Sequence, residues 1–137
     1  MPDCVLRFPA TFDAYPRAAE QLREALDRRT LDERPRYRVE LVFEEVVTNV
    51  IRHSSSRHLS CSIEVDIRFE KDQVVLSFED DGRPFDPRQY ELPPLPQSLE
   101  EAGVGGLGIM LVRGASTHID YERTRENRNH LTVRIAA

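Results

Sequence analysis

Tryptophan is absent from this chain, cysteine and methionine occur twice each, and only six of the 137 residues are glycine. Two cysteines exclude a disulfide-built miniprotein, and Cys4 and Cys61 lack the close spacing of a metal site. Both read as small apolar residues destined for burial. Surplus positive charge is lacking too, since 19 Lys and Arg stand against 24 Asp and Glu, for a net charge of −5 and a pI near 5.4. That balance argues against non-specific nucleic-acid binding, because the phosphate backbone recruits surplus Lys and Arg. Arg123, Arg125 and Arg128 are interleaved with Glu122 and Glu126 and read as solvated mixed-charge surface. No apolar run approaches a membrane span, and the opening MPDCVLRFPATFD holds none long enough for a signal peptide. The expectation is a soluble, cytoplasmic protein that binds neither nucleic acid nor membrane. No repeat is visible. What is present, 39% hydrophobic and 31% charged residues, suits one globular domain over 1–137 with a real core and no room for a second.

Apolar periodicity places the elements. Cys4 to Phe8 is a short apolar run suited to an edge strand. Phe12, Tyr15, Ala18, Ala19, Leu22 and Leu26 recur at helical spacing to about Arg28, and LDERPRY then reads as a connection. Val39, Val42, Phe43, Val46, Val47 and Val50 form a strong helical stripe ending after His53. β-Branched residues are weak helix formers, so burial must hold this helix. Ile63 to Phe69 and Val74 to Phe78 alternate on either side of KDQ and read as a hairpin. The proline-rich PRQYELPPLPQSLEEAGV reads as a long loop, a lid at about 87–104. GVGGLG follows and opens a short helix, IMLVRGAS. Strands around His118 to Arg123 and Leu131 to Ile135 close the chain. Antiparallel hairpins with helices bunched between them give an α+β two-layer sandwich, not a doubly wound parallel sheet.

Three stretches carry chemistry. In EEVVTNVIRH, Glu45, Asn49 and His53 stand at successive i+4 steps along the border of the valine stripe. There they line either a cleft or simply a wetted edge. In EDDGRPFDP, Asp80 ends a strand and a glycine follows two residues on. A carboxylate only accepts hydrogen bonds, so this one suits an exocyclic amino group such as adenine's, though an ordinary Asp-Asp-Gly turn has the same letters. Third, backbone amides of a glycine run opening a helix form an anion site. Gly103, Gly105 and Gly108 also satisfy G-x-G-x-x-G. A dinucleotide-binding unit is nevertheless excluded, because no strand directly precedes the run and too little chain follows it. No P-loop pattern occurs.

In this order and spacing, EVVTN with His53, DDG within DDGRPFDP, and GGLG opening a helix resemble the N-box, the adenine-reading box and the second glycine box of the histidine-kinase-like ATPases, the Bergerat-fold superfamily. The short chain, the FDP after DDG and GGLGIMLVR closely resemble the anti-sigma factor serine kinases of bacterial partner-switching systems. The resemblance, covering roughly Val5 to Ile135, implies a mixed, mostly antiparallel sheet with helices on one face, with ATP and Mg²⁺ as cofactors. It implies Glu45 as general base and Asn49 as the Mg²⁺ ligand. Asp80 would read adenine beside Gly82, and Gly106, Leu107 and Gly108 would cradle phosphate. Thr132 would reach adenine through water. His53 matches a frequent motif position, for which stabilisation by the helix C-terminal dipole is the simpler account.

The implied activity is phosphorylation of an anti-anti-sigma (STAS-type) antagonist on Ser or Thr, with sequestration of a sigma factor by a homodimer whose partner surface includes the first helix and the region after it. A detached histidine-kinase ATPase module, or a nucleotide-gated binding module or slow ATPase with another regulatory partner, shares the same boxes.

Overall fold

The computed structural model describes residues 1–54, 61–88 and 104–137, the side chains at 54 and 104–107 excepted. The order is β1 (Cys4–Pro9), α1 (Tyr15–Asp27), α2 (Glu33–Ser54), β2 (Ser62–Phe69), β3 (Gln73–Asp80), α3 (Val104–Ala115), β4 (His118–Arg123) and β5 (Asn129–Ala136). The five strands form one sheet in the order β1-β2-β3-β5-β4. Every pairing among them is antiparallel, so the expected mixed character is not found among the described strands. The α+β two-layer class holds, with β1 at an edge.

Period-two alternation decides what the sheet buries. Leu6 and Phe8, then Ile63, Val65 and Ile67, then Val74, Leu76 and Phe78, then Leu131, Val133 and Ile135 are all buried in one cluster with α1 and α2. Phe43 of α2 sits at its centre, 6.3 Å from the rings of Phe8 and Tyr15 and 6.4 Å from Phe78 between centroids. This burial holds the β-branched face of α2 helical, since its residues contribute little intrinsic propensity.

Two helices start earlier than periodicity placed them. The stretch LDERPRY is not wholly a connection, because α2 runs from Glu33. Asp32 caps the chain reversal with its carbonyl, which accepts the Arg36 amide at 3.1 Å. Pro35 is tolerated because the amides of a first turn have no intrahelical partner to lose. Likewise α3 begins at Val104, so Gly105, Gly106 and Gly108 lie within it and do not precede it, and Gly103 lies outside the described residues. The lid expected at about 87–104 lies mostly outside the described residues.

Candidate functional site

A cleft of about 740 Å³, counted to its open mouth, lies between α2, α3 and the end of the sheet carrying Asp80 and Asn129. Glu45, Asn49 and His53 all line it, so this edge of α2 faces the cleft and is not simply a wetted border. Eight residues at 1.5 Å rise put Glu45 and His53 about 12 Å apart along α2, so the helix spans the length of the site.

At one end Glu45 meets α3. Its Oε2 occupies the space that a Cβ on Gly108 would need, so only glycine at 108 lets helix and carboxylate approach this closely. Burial, then the neighbouring Glu44, raise the Glu45 carboxyl above the usual carboxylate range, with Arg52 opposing. The first-turn amides of α3, at 104–107, have no acceptor within the helix and carry its positive dipole end. The amides of Gly106 and Leu107 thus stand where phosphate was expected to bind, whereas the Gly108 amide falls within reach of the helix's own ladder. What Gly108 contributes is the absence of a side chain. Gly108→Ala is therefore expected to leave thermal stability unchanged or raised by up to about 1 kcal/mol, because alanine is the better helix former. It should still lower turnover by about tenfold or more, because the Glu45 carboxylate must move aside. Melting temperature and turnover measured together check this.

At the other end Asp80 is 6% exposed, in phase with Val74, Leu76 and Phe78 on the buried face of β3. Its Oδ1 accepts the Gly82 amide at 2.8 Å and the Asn129 Nδ2 at 3.0 Å. Burial raises its carboxyl above the usual range, and these two donors oppose it. A Cβ on Gly82 would stand 2.9 Å from that same Oδ1, so a side chain there would crowd this turn. Arg123 is not solvated surface. Its Nη1 donates to the Gly82 carbonyl at 2.8 Å, and Arg128 pairs with Glu79 at 3.2 Å. Beyond the turn, Arg88 grips Asp86 at 2.9 Å. Arg113 of α3 donates to the Pro87 and Arg88 carbonyls at 2.6 and 2.9 Å, tying this stretch to α3.

Two expectations are corrected. The dipole of α2 would raise His53, but its ring stacks on Phe85 with centroids 4.8 Å apart. Burial, Arg83 and Arg52 push its pKa down, so it is a neutral wall of the cleft. Thr132 is paired between Ser77 and Asp120 and faces away from the helices, so it cannot reach the cleft. Leu131 and Asn129 line the cleft from β5 instead. Asn129 was missed, although counting back by twos from Ile135, Val133 and Leu131 puts it on the buried face. Cys4 and Cys61 are free and half-buried. The Cys61 thiol is pushed up to about 12, chiefly by burial, which makes it unreactive.

The donor set fits a nucleotide with magnesium. Asp80 offers a buried acceptor, Gly108 and Gly82 leave room, and Asn49 supplies one neutral oxygen. Among the described residues no group of three or more His, Cys, Asp or Glu could hold a metal alone. A cation bound here would draw its other oxygens from phosphate and water, as magnesium commonly does. No described helix is long and apolar enough to cross a membrane.

Comparison with known proteins agrees with this geometry. The family described as "Histidine kinase-like ATPase domain" matches residues 8–135. The serine/threonine-protein kinase BtrW of Bordetella bronchiseptica is 33% identical over 100 residues, which cover 73% of this chain and 70% of that protein. The histidine kinase AdeS of Acinetobacter baumannii aligns over 96% of this chain and 67% of its own, with a TM-score of 0.50 and 16% identity, a likeness of fold alone. The chain belongs to the histidine kinase-like ATPases, and within them to the anti-sigma factor serine kinase family that its three boxes resemble.

Proposed function

We propose that this chain is an ATP- and Mg²⁺-dependent serine/threonine protein kinase that acts as an anti-sigma factor, and that it phosphorylates an anti-anti-sigma antagonist of the STAS type in a cytoplasmic partner-switching system. The observation that carries the reading is the Glu45 carboxylate packed against Gly108 at one end of a cleft whose other end presents Asp80. Adenine on Asp80 directs the phosphates toward α3, and there, among the described residues, the only carboxylate lining the cleft besides Asp80 is Glu45. The 33% identity to a protein named serine/threonine-protein kinase supports the same reaction class.

The chain's residues divide the work. Asp80 accepts the adenine amino group, the amides of Gly106 and Leu107 meet phosphate oxygens, and Asn49 holds the magnesium that offsets phosphate charge. A substrate Ser or Thr hydroxyl attacks the γ-phosphorus, and the bond to the β-γ bridging oxygen breaks. Glu45 takes the hydroxyl proton, leaving ADP and a phosphoester. Because the transition state is loose, positioning and charge contribute most of the rate and the base adds a smaller factor.

The test is transfer from γ-labelled ATP in a soluble extract of the source organism. Label on serine or threonine of one small protein is the expected result, and that protein should also compete with a sigma factor for the kinase. Label released only as phosphate, with none on protein, would instead identify a slow ATPase or nucleotide-gated module. Label on histidine would identify a histidine-kinase module.

A further inference from the structure

Among the described residues only Thr48, Asp80 and Asn129 are polar or charged and buried. Thr48 needs no ligand to explain it, since its hydroxyl donates to the Glu44 carbonyl of its own helix at 2.7 Å. The other two are bonded to each other, directly across from one another in the register of β3 and β5. The phosphotransfer scheme gives Asn129 no role.

Its four contacts fix which way the amide points. The backbone N–H of Phe85 can only donate, and it meets Asn129 Oδ1 at 3.3 Å, where the Tyr121 hydroxyl also donates. The Arg83 carbonyl can only accept, and it takes Asn129 Nδ2 at 2.7 Å, the same nitrogen that reaches Asp80. Reversing the amide would set donor against donor at Phe85 and acceptor against acceptor at Arg83. Asn129 therefore presents N–H, and never an oxygen, to Asp80.

The consequence falls on the carboxylate. Asn129 Nδ2 and the Gly82 amide both land on Oδ1, and among the described residues Oδ2 takes no donor. Asp80 lines the cleft, so Oδ2 is the oxygen left to meet a ligand. Two donors on Oδ1 favour the ionised group, which accepts only; a protonated carboxyl would offer an O–H and could pair with a carbonyl. Burial works the other way and raises this carboxyl, and the Asn129 amide is the first of the groups that oppose it, so removing that amide moves Asp80 toward its protonated form. The same amide also ties the turn at Arg83 and Phe85 to the sheet.

We propose that Asn129 is the positioning residue for nucleobase selectivity: held by Tyr121 and Phe85, it keeps Asp80 a hydrogen-bond acceptor with Oδ2 toward the ligand, so that the site takes a 6-amino purine and rejects a 6-oxo purine. This rests on the nucleotide reading above.

The test measures dissociation constants of ATP and inosine triphosphate, which differ at the purine 6-position, for wild type, Asn129→Leu and Tyr121→Phe. Wild type should prefer ATP by about 10²-fold or more, because a site built around one hydrogen bond leaves a buried group unpaired with the wrong partner. Asn129→Leu should cut that preference about tenfold, almost wholly by weakening ATP. Tyr121→Phe, which removes one hydroxyl, should cut it about threefold in the same direction. A purely structural role would weaken both nucleotides alike and leave their ratio standing; an unchanged ratio in folded Asn129→Leu overturns the inference while ATP selectivity of the wild type keeps the nucleotide reading. Should Asn129→Leu fail to fold, the Tyr121→Phe ratio decides in the same way. Wild-type protein that binds no ATP overturns both.

Discussion

Glu45→Ala is expected to lower phosphoryl transfer about 10²-fold or somewhat more while ATP still binds. The size follows from what a positioned base supplies, about 10² to 10⁴ in rate, and the low end applies because a loose transition state asks little of the base. On the proposed reading binding survives, because Asp80 and α3, not Glu45, would hold adenine and the phosphates. The pH profile is a second readout. Glu45 works deprotonated, and burial with Glu44 beside it raises its pKa, so wild-type transfer should rise with pH through a value above the usual Glu range of about 4.3 and then level off. In Glu45→Ala that rising limb should vanish. Single-turnover rates across pH, with nucleotide affinity measured alongside, check both points. Equal rates would remove the base assignment.

Asp80→Asn is expected to weaken ATP by about 10²-fold or more without lowering the stability of the ligand-free protein. The new amide can still turn its oxygen to the Gly82 and Asn129 donors, which places NH₂ where Oδ2 stood. Two donors then face each other at the adenine amino group, and a lost hydrogen bond to a charged group costs about 1.5 to 3 kcal/mol before the mismatch is added. Stability runs the other way. The Asp80 pKa is raised in the folded protein, so the native state holds its proton more tightly than the unfolded chain. The wild type therefore loses stability as pH rises from about 4 through that raised value. The asparagine variant lacks this loss, and its advantage should grow over the same window and then stay constant. Denaturant melts at several pH values and an ATP titration measure the two effects. A variant that binds ATP as wild type does would refute the adenine contact.

Much of the site was legible because both periods involved are simple. The valine stripe of α2 fixed its buried face, and i+4 counting then put Glu45, Asn49 and His53 on one line at its edge. Asp80 could be read in phase with Val74, Leu76 and Phe78. The failures are equally physical. Thr132 was assigned on motif similarity, but alternation puts it one residue out of phase with Leu131 and Val133, and one residue in a strand is the difference between the two faces. Asn129 is in phase with Leu131, Val133 and Ile135, but it shows only once β5 is extended two residues back past its first apolar residue. Pro35 looked like a breaker only until α2 was seen to start at Glu33, within whose first turn proline is harmless. Gly108 read as an amide donor; its contact with Glu45 is a tertiary fact that no local pattern contains. His53 was interpreted from its own helix alone, whereas Phe85, distant in sequence, sets its surroundings.

The most direct measurement is the structure of the protein with magnesium and a non-hydrolysable ATP analogue. The account predicts the adenine amino group within about 3 Å of Asp80 Oδ2, Asn49 on the metal, and the γ-phosphate beside Glu45 at the first turn of α3. A nucleotide lying in the reverse sense, with its base against Gly108 and its phosphates near Phe85, would contradict it.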